Sequence, residues 1–294
     1  MSILILGAAG MLGQKLIAEG KARDQQVIGA GRRYVQGYAE VEVDIKDGQA
    51  LRDLLQRLEP QVIVNAAAIV DIGSCEKDPG LAYMVNSRSA GLCADYAEKN
   101  GCYFVQISSD HYYSGDERLA HTPDDPITLK NEYARSKYLG EQLTRLNPNA
   151  AIIRTNIVGL RGDLARPTFM EWLISKLQTK QEITVFKDYY VSSIATGQFA
   201  KAFYDILDKR PTGIWNLASS EVFSKEEFIR EFALQAGFST ENLREGSVFD
   251  NLNVLRAESL GLDVSLTEAY LGYKLPGLKD VIRELIEYAD NLLV

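Results

Sequence analysis

The sequence predicts an α/β fold, a doubly wound parallel sheet completed by a smaller C-terminal lobe. Three observations predict it. Short runs that are apolar at consecutive positions alternate with longer stretches of helical period from the first residues onward. The first run leads directly into a glycine-rich turn, Gly7-Ala8-Ala9-Gly10-Met11-Leu12-Gly13. And 294 residues at 46% hydrophobic and 24% charged are enough to bury a sizeable core, which excludes wholesale disorder.

The strand candidates are Ile3–Leu6, Gln26–Ala30, Val62–Asn65, Tyr103–Ile107, Ala151–Arg154 and Ile214–Leu217. Runs of this kind suit strands covered by helices on both faces. Between them lie the helical stretches Met11–Glu19, Gln49–Leu58, Leu81–Glu98 and Tyr133–Leu146. In the second, Leu51, Leu54, Leu55 and Leu58 fall at i, i+3, i+4 and i+7 and make one apolar stripe. Strand, helix, strand, repeated, predicts right-handed crossovers. After about residue 155 helices dominate, over Thr168–Leu177, Gln198–Leu207, Ser224–Ala236 and Leu278–Leu292, with one strand near Trp215. The expected division is 1–155 for the nucleotide-binding domain, with a strand returning to it from 183–218, and 156–294 for a substrate-binding lobe. Open α/β sheets bind ligands beyond the carboxyl ends of their strands, so the lobe is expected on that side.

A net charge of −8 weighs against a nucleic-acid partner, whose binders usually carry a basic excess. The three cysteines, Cys75, Cys93 and Cys102, are odd in number and form no CxxC, so they read as reduced core thiols. His111 and His121 are the two histidines and no pair has ligand spacing, so no metal site is expected. Gly7 cuts the apolar start too short for a signal peptide, and no run approaches the roughly 20 apolar residues of a membrane span. A cytoplasmic protein without membrane partners is expected, and a homodimer is left open.

Glycines at Gly7, Gly10 and Gly13 let a turn tighten and let backbone amides approach a pyrophosphate at a helix N-terminus. Their context, with a strand before and an amphipathic helix after, is the one a dinucleotide fingerprint requires. After the second strand comes Gly31-Arg32-Arg33 and no acid. A carboxylate there would favour NAD, whereas two guanidiniums suit a 2′-phosphate, so NADP(H) is expected and NAD(H) left open. A solvated arginine pair is the plainer alternative.

Tyr133-Ala134-Arg135-Ser136-Lys137 opens a helix and puts Tyr133 and Lys137 one turn apart on one face. A neighbouring ammonium favours the phenolate and fits a tyrosine for proton transfer. Ser109 lies at the carboxyl end of the Tyr103–Ile107 strand. Ser109 would orient a carbonyl, Tyr133 would pass the proton, and Lys137 would tune Tyr133 and hold the nicotinamide ribose. Asn65, at the end of a buried strand, reads as a loop brace.

These motifs together resemble the extended short-chain dehydrogenase/reductase family, and within it the dTDP-4-dehydrorhamnose reductase branch. Pro60–Ala68 is similar to the branch's fourth-strand signature, and Glu76 with Val85-Asn86 to its next helix. Ser108–Gly115 resembles its STDYVF-G segment, Asn131–Glu141 its N-x-YG-x-(S/T)K-x-x-GE run, and Arg154–Gly159 its RTSWVYG segment. The resemblance runs through about residue 160 with specific motifs and beyond that as general pattern. It implies cofactor contacts at Gly10, Met11 and Leu12, at Asp44 and Ile45 for the adenine, and at Ala68, Ile69 and Val70 for the nicotinamide, with Ala66 and Ala67 on the same loop. It implies substrate contacts at Ser109 and Asp110, with His111 at the pocket rim, and the proton donor and its lysine at Tyr133 and Lys137.

Departures cluster on the substrate side. Ile72-Gly73-Ser74-Cys75-Glu76 stands where the branch has V-D-K-A-E, His111-Tyr112-Tyr113 replaces Y-V-F, and Ile157 replaces a tryptophan. Phe186–Ser193 occupies the D-Q-x-G-x-P-T position, and its Tyr189 and Tyr190 are expected to line a sugar pocket or else to pack between the lobes. Tyr112 and Tyr113 stack on a ligand or belong to the core. Arg154, Arg161 and Arg166 follow the sixth strand, where a nucleotide-sugar diphosphate would need positive charge, and surface ion pairing explains them as readily. The implied activity is NADPH-dependent reduction of the 4-keto group of a nucleoside-diphosphate 6-deoxyhexose. The alternatives are a non-catalytic cofactor-binding subunit, like that of methionine adenosyltransferase, and a sugar-nucleotide epimerase or dehydratase.

Overall fold

The structure, a computed structural model, describes residues 2–163, 165–250 and 254–293, with side chains through 289. The chain forms two compact units. The first comprises Met1–Ser109, Leu129–Arg154 and Ala200–Trp215, and the second comprises Asp110–Thr128, Thr155–Phe199 and Asn216–Val294.

The first unit opens with β1 (Ser2–Leu6), α1 (Met11–Ala22), β2 (Gln26–Gly31), β3 (Val41–Glu42), α2 (Gly48–Leu58) and β4 (Val62–Asn65). There follow α3 (Ile72–Lys77), α4 (Pro79–Tyr83), a π-helical turn (Met84–Arg88), α5 (Ser89–Asn100) and β5 (Tyr103–Ile107). The chain then contributes β6 (Ala120–His121) to the second unit and returns with α6 (Glu132–Thr144) and β7 (Ala150–Arg154). Next along the chain come β8 (Ile157–Val158), α7 (Phe169–Gln178), β9 (Ile183–Phe186), β10 (Tyr190–Val191), β11 (Ile194–Ala195), α8 (Thr196–Leu207) and β12 (Gly213–Asn216). The chain ends with β13 (Phe223–Ser224), α9 (Lys225–Gln235), β14 (Leu243–Gly246), β15 (Ser259–Leu262), α10 (Ser265–Leu271) and α11 (Leu278–Leu293).

A seven-stranded sheet in the order β12-β7-β5-β4-β1-β2-β3 forms the frame of the first unit. Its pairings from β3 to β7 are parallel, with Leu6 opposite Ala30 on one side and Asn65 on the other. The order reverses at β1/β4, the switch point where doubly wound sheets take their ligands. The expected doubly wound parallel sheet is therefore present. Residues 3–6 and 62–64 are fully buried, as consecutive apolar runs require. On one face Leu51, Leu54 and Leu55 of α2 join Leu4, Leu6, Ile63, Phe104, Cys93 and Cys102. Asp47 caps α2 through the Gln49 and Ala50 amides, which is why the leucine stripe starts where it does.

Two expectations are modified. The helix expected over Leu81–Glu98 is split into α4, the π turn and α5, and begins at Pro79, whose missing N–H is harmless only in a first turn. From the 183–218 region β12 joins the large sheet, whereas β9 pairs with β14 in a separate two-stranded sheet.

The second unit carries small sheets, β13-β10-β15-β6, β11-β8 and β14-β9. They enclose a core that includes Met170, Leu173, Phe228, Phe232, Leu260, Val281, Ile282 and Leu285. Capping boxes, Thr168 with Glu171 and Ser224 with Glu227, start α7 and α9. Among the described residues no helix is long and apolar enough to cross a membrane. No cluster of His, Cys, Asp or Glu there could hold a metal ion.

Candidate active site

The glycine turn between β1 and α1 is built to leave backbone uncovered. Gly7 has φ +81, and a Cβ on it would stand 2.8 Å from the Ala67 backbone. A Cβ on Gly13 would collide with the Gly7 carbonyl. The Gly7 and Ala8 amides both donate to the Ala30 carbonyl, at 2.9 and 3.0 Å, and tie the turn to the end of β2. Gly10 caps α1 without a side-chain hydrogen bond, so the first-turn amides of Met11, Leu12 and Gly13 are left for an anion. The cradle fits a dinucleotide pyrophosphate.

At the end of β2, Arg32 and Arg33 are exposed, and among the described residues neither makes an ion pair. Glu42 of β3 lies in register with Gly31, and its carboxylate accepts the Tyr34 amide at 3.0 Å. This acid comes from the following strand, which is why the residues after β2 do not reveal it. Asp44 is half-buried and accepts the Lys46 amide, while Ile45 is buried in the core beside α2. After β4, the Ala66 amide donates to the Leu6 carbonyl at 3.0 Å, and the Asn65 side chain accepts the Ala67 amide at 3.3 Å. Asn65 is thus the brace its position suggested. Ala68 and Ile69 are partly exposed and Val70 is exposed.

The loop's hold on the rest of the unit is Asn86, which the resemblance marked only as part of a matching helix and gave no role. It is 1% exposed, accepts the Ile69 amide at 2.8 Å, and donates to the Ile69 carbonyl at 3.0 Å and to Ser136 Oγ at 3.0 Å. The π turn carries it into place. The available signal was the Val85-Asn86 match to the branch's next helix.

Beyond β5 the two adjacent serines divide. Ser108 Oγ donates to Glu141 Oε1 at 2.6 Å, whereas the Tyr133 hydroxyl donates to Ser109 Oγ at 3.2 Å. Ser109 and Tyr133 are 2% and 7% exposed, so the pair is shielded yet not sealed. Asn131 caps α6 through the Ala134 amide, and Glu76 accepts the Glu132 amide at 2.7 Å, which fixes where Tyr133 enters. One turn on, Lys137 Nζ donates to the Ile107 carbonyl at 2.7 Å. Burial pushes the Lys137 amine down to about 8, and the Glu141 carboxylate partly offsets this. Ser109 and Tyr133 are thereby paired, and Lys137, one turn further along α6, has its buried amine tied to the end of β5.

Arg154 does not serve a diphosphate. It is 2% exposed, and its Nε and Nη2 donate to the fully buried Glu141 at 3.0 and 2.8 Å. Glu141 follows Lys137 by one helical turn, so a buried acid was readable on that face, although its partner was not. Arg161 and Arg166 both lie beside Asp163, at 3.9 and 3.1 Å, as the ion-pairing alternative had it.

In the second unit, the Asp110 carboxylate accepts Asn156 Nδ2 at 2.5 Å, and Asn156 Oδ1 accepts Ser193 Oγ at 2.6 Å. The end of the 186–193 segment is thus linked to the residue after Ser109. Loss of water and the neighbouring Arg256 and Lys225 push His111 down to about 4. Tyr189 packs against the unit's core, and Tyr190 lies under the Arg118 guanidinium, 5.1 Å away. Tyr112 and Tyr113 are fully buried, and Tyr113 stacks on His121 at 4.0 Å, so both belong to the core. The three cysteines are free and buried, and burial pushes the Cys75 and Cys102 thiols up to about 11.

A family model described as RmlD substrate binding domain matches residues 1–289. The chain belongs to the RmlD substrate binding domain family. Among the relatives of this RmlD-family chain is the spore coat polysaccharide biosynthesis protein SpsK of Bacillus subtilis (strain 168), 30% identical over 239 residues, 81% of this chain and 80% of that protein. Another is the probable low-salt glycan biosynthesis reductase Agl14 of Haloferax volcanii, 28% identical over 293 residues, 97% of each chain. The fold is shared with the crystal structure of dTDP-4-dehydrorhamnose reductase from Bacillus anthracis in complex with NADP, with TM-score 0.85, 21% identity and 97% of each chain covered. The extended reductase fold expected from the motifs is therefore the fold of this RmlD-family chain.

Proposed function

We propose that this RmlD-family protein is an NADPH-dependent oxidoreductase that reduces the 4-keto group of a nucleoside-diphosphate 6-deoxyhexose. The carrying observation is the Tyr133–Ser109 hydroxyl pair at 3.2 Å, backed by a buried Lys137. The names of SpsK and Agl14, which speak of polysaccharide and glycan biosynthesis, support a sugar substrate. NADPH, when bound, supplies the hydride to the carbonyl carbon. Ser109 holds the carbonyl oxygen by a hydrogen bond, and Tyr133 gives that oxygen its phenolic proton. Lys137, fixed at the Ile107 carbonyl, would keep a cation near the forming phenolate and would be the residue to hold the nicotinamide ribose. Gly7, Gly10 and Gly13 with the first-turn amides of α1 take the pyrophosphate, and the loop Ala66–Val70 takes the nicotinamide side. Asp110, His111, Tyr189 and Tyr190 belong to the sugar side. A non-catalytic subunit would need none of Ser109, Tyr133 and Lys137 in this arrangement, and their joint retention favours the enzyme. Incubation with NADPH and a panel of nucleotide-linked 4-keto sugars tests the reading. Loss of nicotinamide absorbance with one of them is expected, and no consumption with any would contradict it.

The cofactor preference is tested separately. Replacing Arg32 and Arg33 together should weaken NADPH binding by roughly 1.5–3 kcal/mol per lost charge-assisted hydrogen bond and leave NADH binding unchanged. Equal affinities for NADPH and NADH in the unmodified protein would contradict the preference, and Glu42 would then be the residue to replace.

A further inference from the structure

Tyr133, Lys137 and Glu141 stand four residues apart along α6 and share one helix face. Each bonds a different one of three consecutive residues at the end of β5. The Tyr133 hydroxyl donates to Ser109 Oγ at 3.2 Å, Lys137 Nζ donates to the Ile107 carbonyl at 2.7 Å, and Ser108 Oγ donates to Glu141 Oε1 at 2.6 Å. All six residues belong to the first unit. Tyr133 and Lys137 have roles in the chemistry proposed above. Glu141 and Ser108 do not.

Packing alone does not call for a carboxylate at position 141. Glu141 is fully buried, and Arg154 Nε and Nη2 donate to it at 3.0 and 2.8 Å. A buried ion pair regains in attraction roughly what it loses in hydration, and apolar side chains of similar volume would join α6 to β7 about as well. Ser108 is 6% exposed, so its hydroxyl needs a partner inside the protein, whereas an alanine there would need none. A polar set placed where packing does not require it points to function.

The place of Ser108 says what the set serves. Its amide donates to the Ile153 carbonyl at 2.7 Å, and Arg154 is the next residue of β7. Ser108 is thus held from β7 through its backbone and from α6 through its hydroxyl. Ser109 follows directly and is the last residue of this stretch before the chain passes to the second unit. Two soft torsions, with a planar peptide between them, separate the two serines, so the setting of Ser108 carries over to Ser109. The Tyr133–Ser109 contact, at 3.2 Å, is already longer than the usual O–H···O range, and a small displacement of Ser109 breaks it.

We propose, resting on the reductase reading of Ser109 and Tyr133 above, that Glu141 is a positioning residue which, through Ser108, fixes Ser109 Oγ against the Tyr133 hydroxyl. The carboxylate touches neither reacting atom. Arg154 holds the carboxylate, the carboxylate holds Ser108, and Ser108 sets the backbone that aims Ser109.

NMR of the full chain labelled with carbon-13 at the tyrosine Cζ tests the placement without substrate. The resonance lost in Tyr133→Phe assigns Tyr133, and its displacement in Ser109→Ala gives the effect of removing the acceptor. Ser108→Ala leaves the Glu141–Arg154 pair in place and should move the Tyr133 resonance the same way by most of that amount. With NADPH and a 4-keto sugar that the wild type reduces, Ser108→Ala should lower kcat roughly 10- to 100-fold with KM unchanged. The double variant Arg154→Met with Glu141→Leu puts apolar side chains in place of the ion pair. It should regain stability in urea relative to Arg154→Met and still show the lower kcat, which separates positioning from folding. A Tyr133 resonance at the wild-type position in Ser108→Ala or in Ser109→Ala, or a wild-type kcat in Ser108→Ala or in the double variant, would overturn the proposal. A moved resonance in a chain that reduces no 4-keto sugar supports the positioning role and counts against the reductase reading alone.

Discussion

Tyr133→Phe is expected to lower turnover by roughly 10²–10⁴-fold while cofactor affinity stays at the wild-type value. The hydroxyl is the only part removed. Its oxygen donates to Ser109 Oγ at 3.2 Å, and the rest of α6 is set by the Asn131 cap and the Ser136–Asn86 contact, which the phenylalanine ring leaves in place. Lys137→Ala should behave differently and lose both rate and cofactor affinity, because the same amine stands behind Tyr133 and toward the ribose. Steady-state kinetics with a cofactor titration of each variant separates the two. A Tyr133→Phe protein that keeps the wild-type rate would contradict the assignment of the proton donor.

Arg154→Met is expected to destabilise the protein by about 3–5 kcal/mol. It leaves the fully buried Glu141 carboxylate with Ser108 and without its guanidinium. The cost comes from the stranded charge rather than from lost packing. The double variant Arg154→Met with Glu141→Leu should therefore recover a large part of the loss. Urea unfolding midpoints of wild type, single and double variants check this. Equal midpoints for single and double variants would show that the pair matters through shape and not charge.

What was legible in the sequence follows from burial and period. β1, β4, β5 and β7 are covered on both faces, so each writes a run of apolar letters, and α2 writes its leucine stripe. β3, β8, β10, β11 and β13 are two residues each and too short to have a period. The nearness of Ser109 to Tyr133 could be read because one lies at a strand end and the other opens the helix that follows. Glu42 could not, because it reaches Gly31 through strand register rather than sequence proximity. The choice between the two readings of Arg154 was hidden for the same kind of reason. Its partner sits on α6, and a single sequence does not say which acid a strand-end arginine will meet. Asn86 hid among other polar letters of its helix, where only the surrounding atoms reveal what its side chain holds.

The central claim is hydride transfer from a nicotinamide to a sugar carbonyl at the Ser109–Tyr133–Lys137 site. NADPH carrying deuterium in both positions at the nicotinamide C4, incubated with a nucleotide-linked 4-keto-6-deoxyhexose, tests it most directly when the product is analysed by NMR. One deuterium bound to the former carbonyl carbon is expected with wild type, and none above background with Tyr133→Phe. Product formed without carbon-bound deuterium by the wild type, or deuterium transfer undiminished in Tyr133→Phe, would contradict the account.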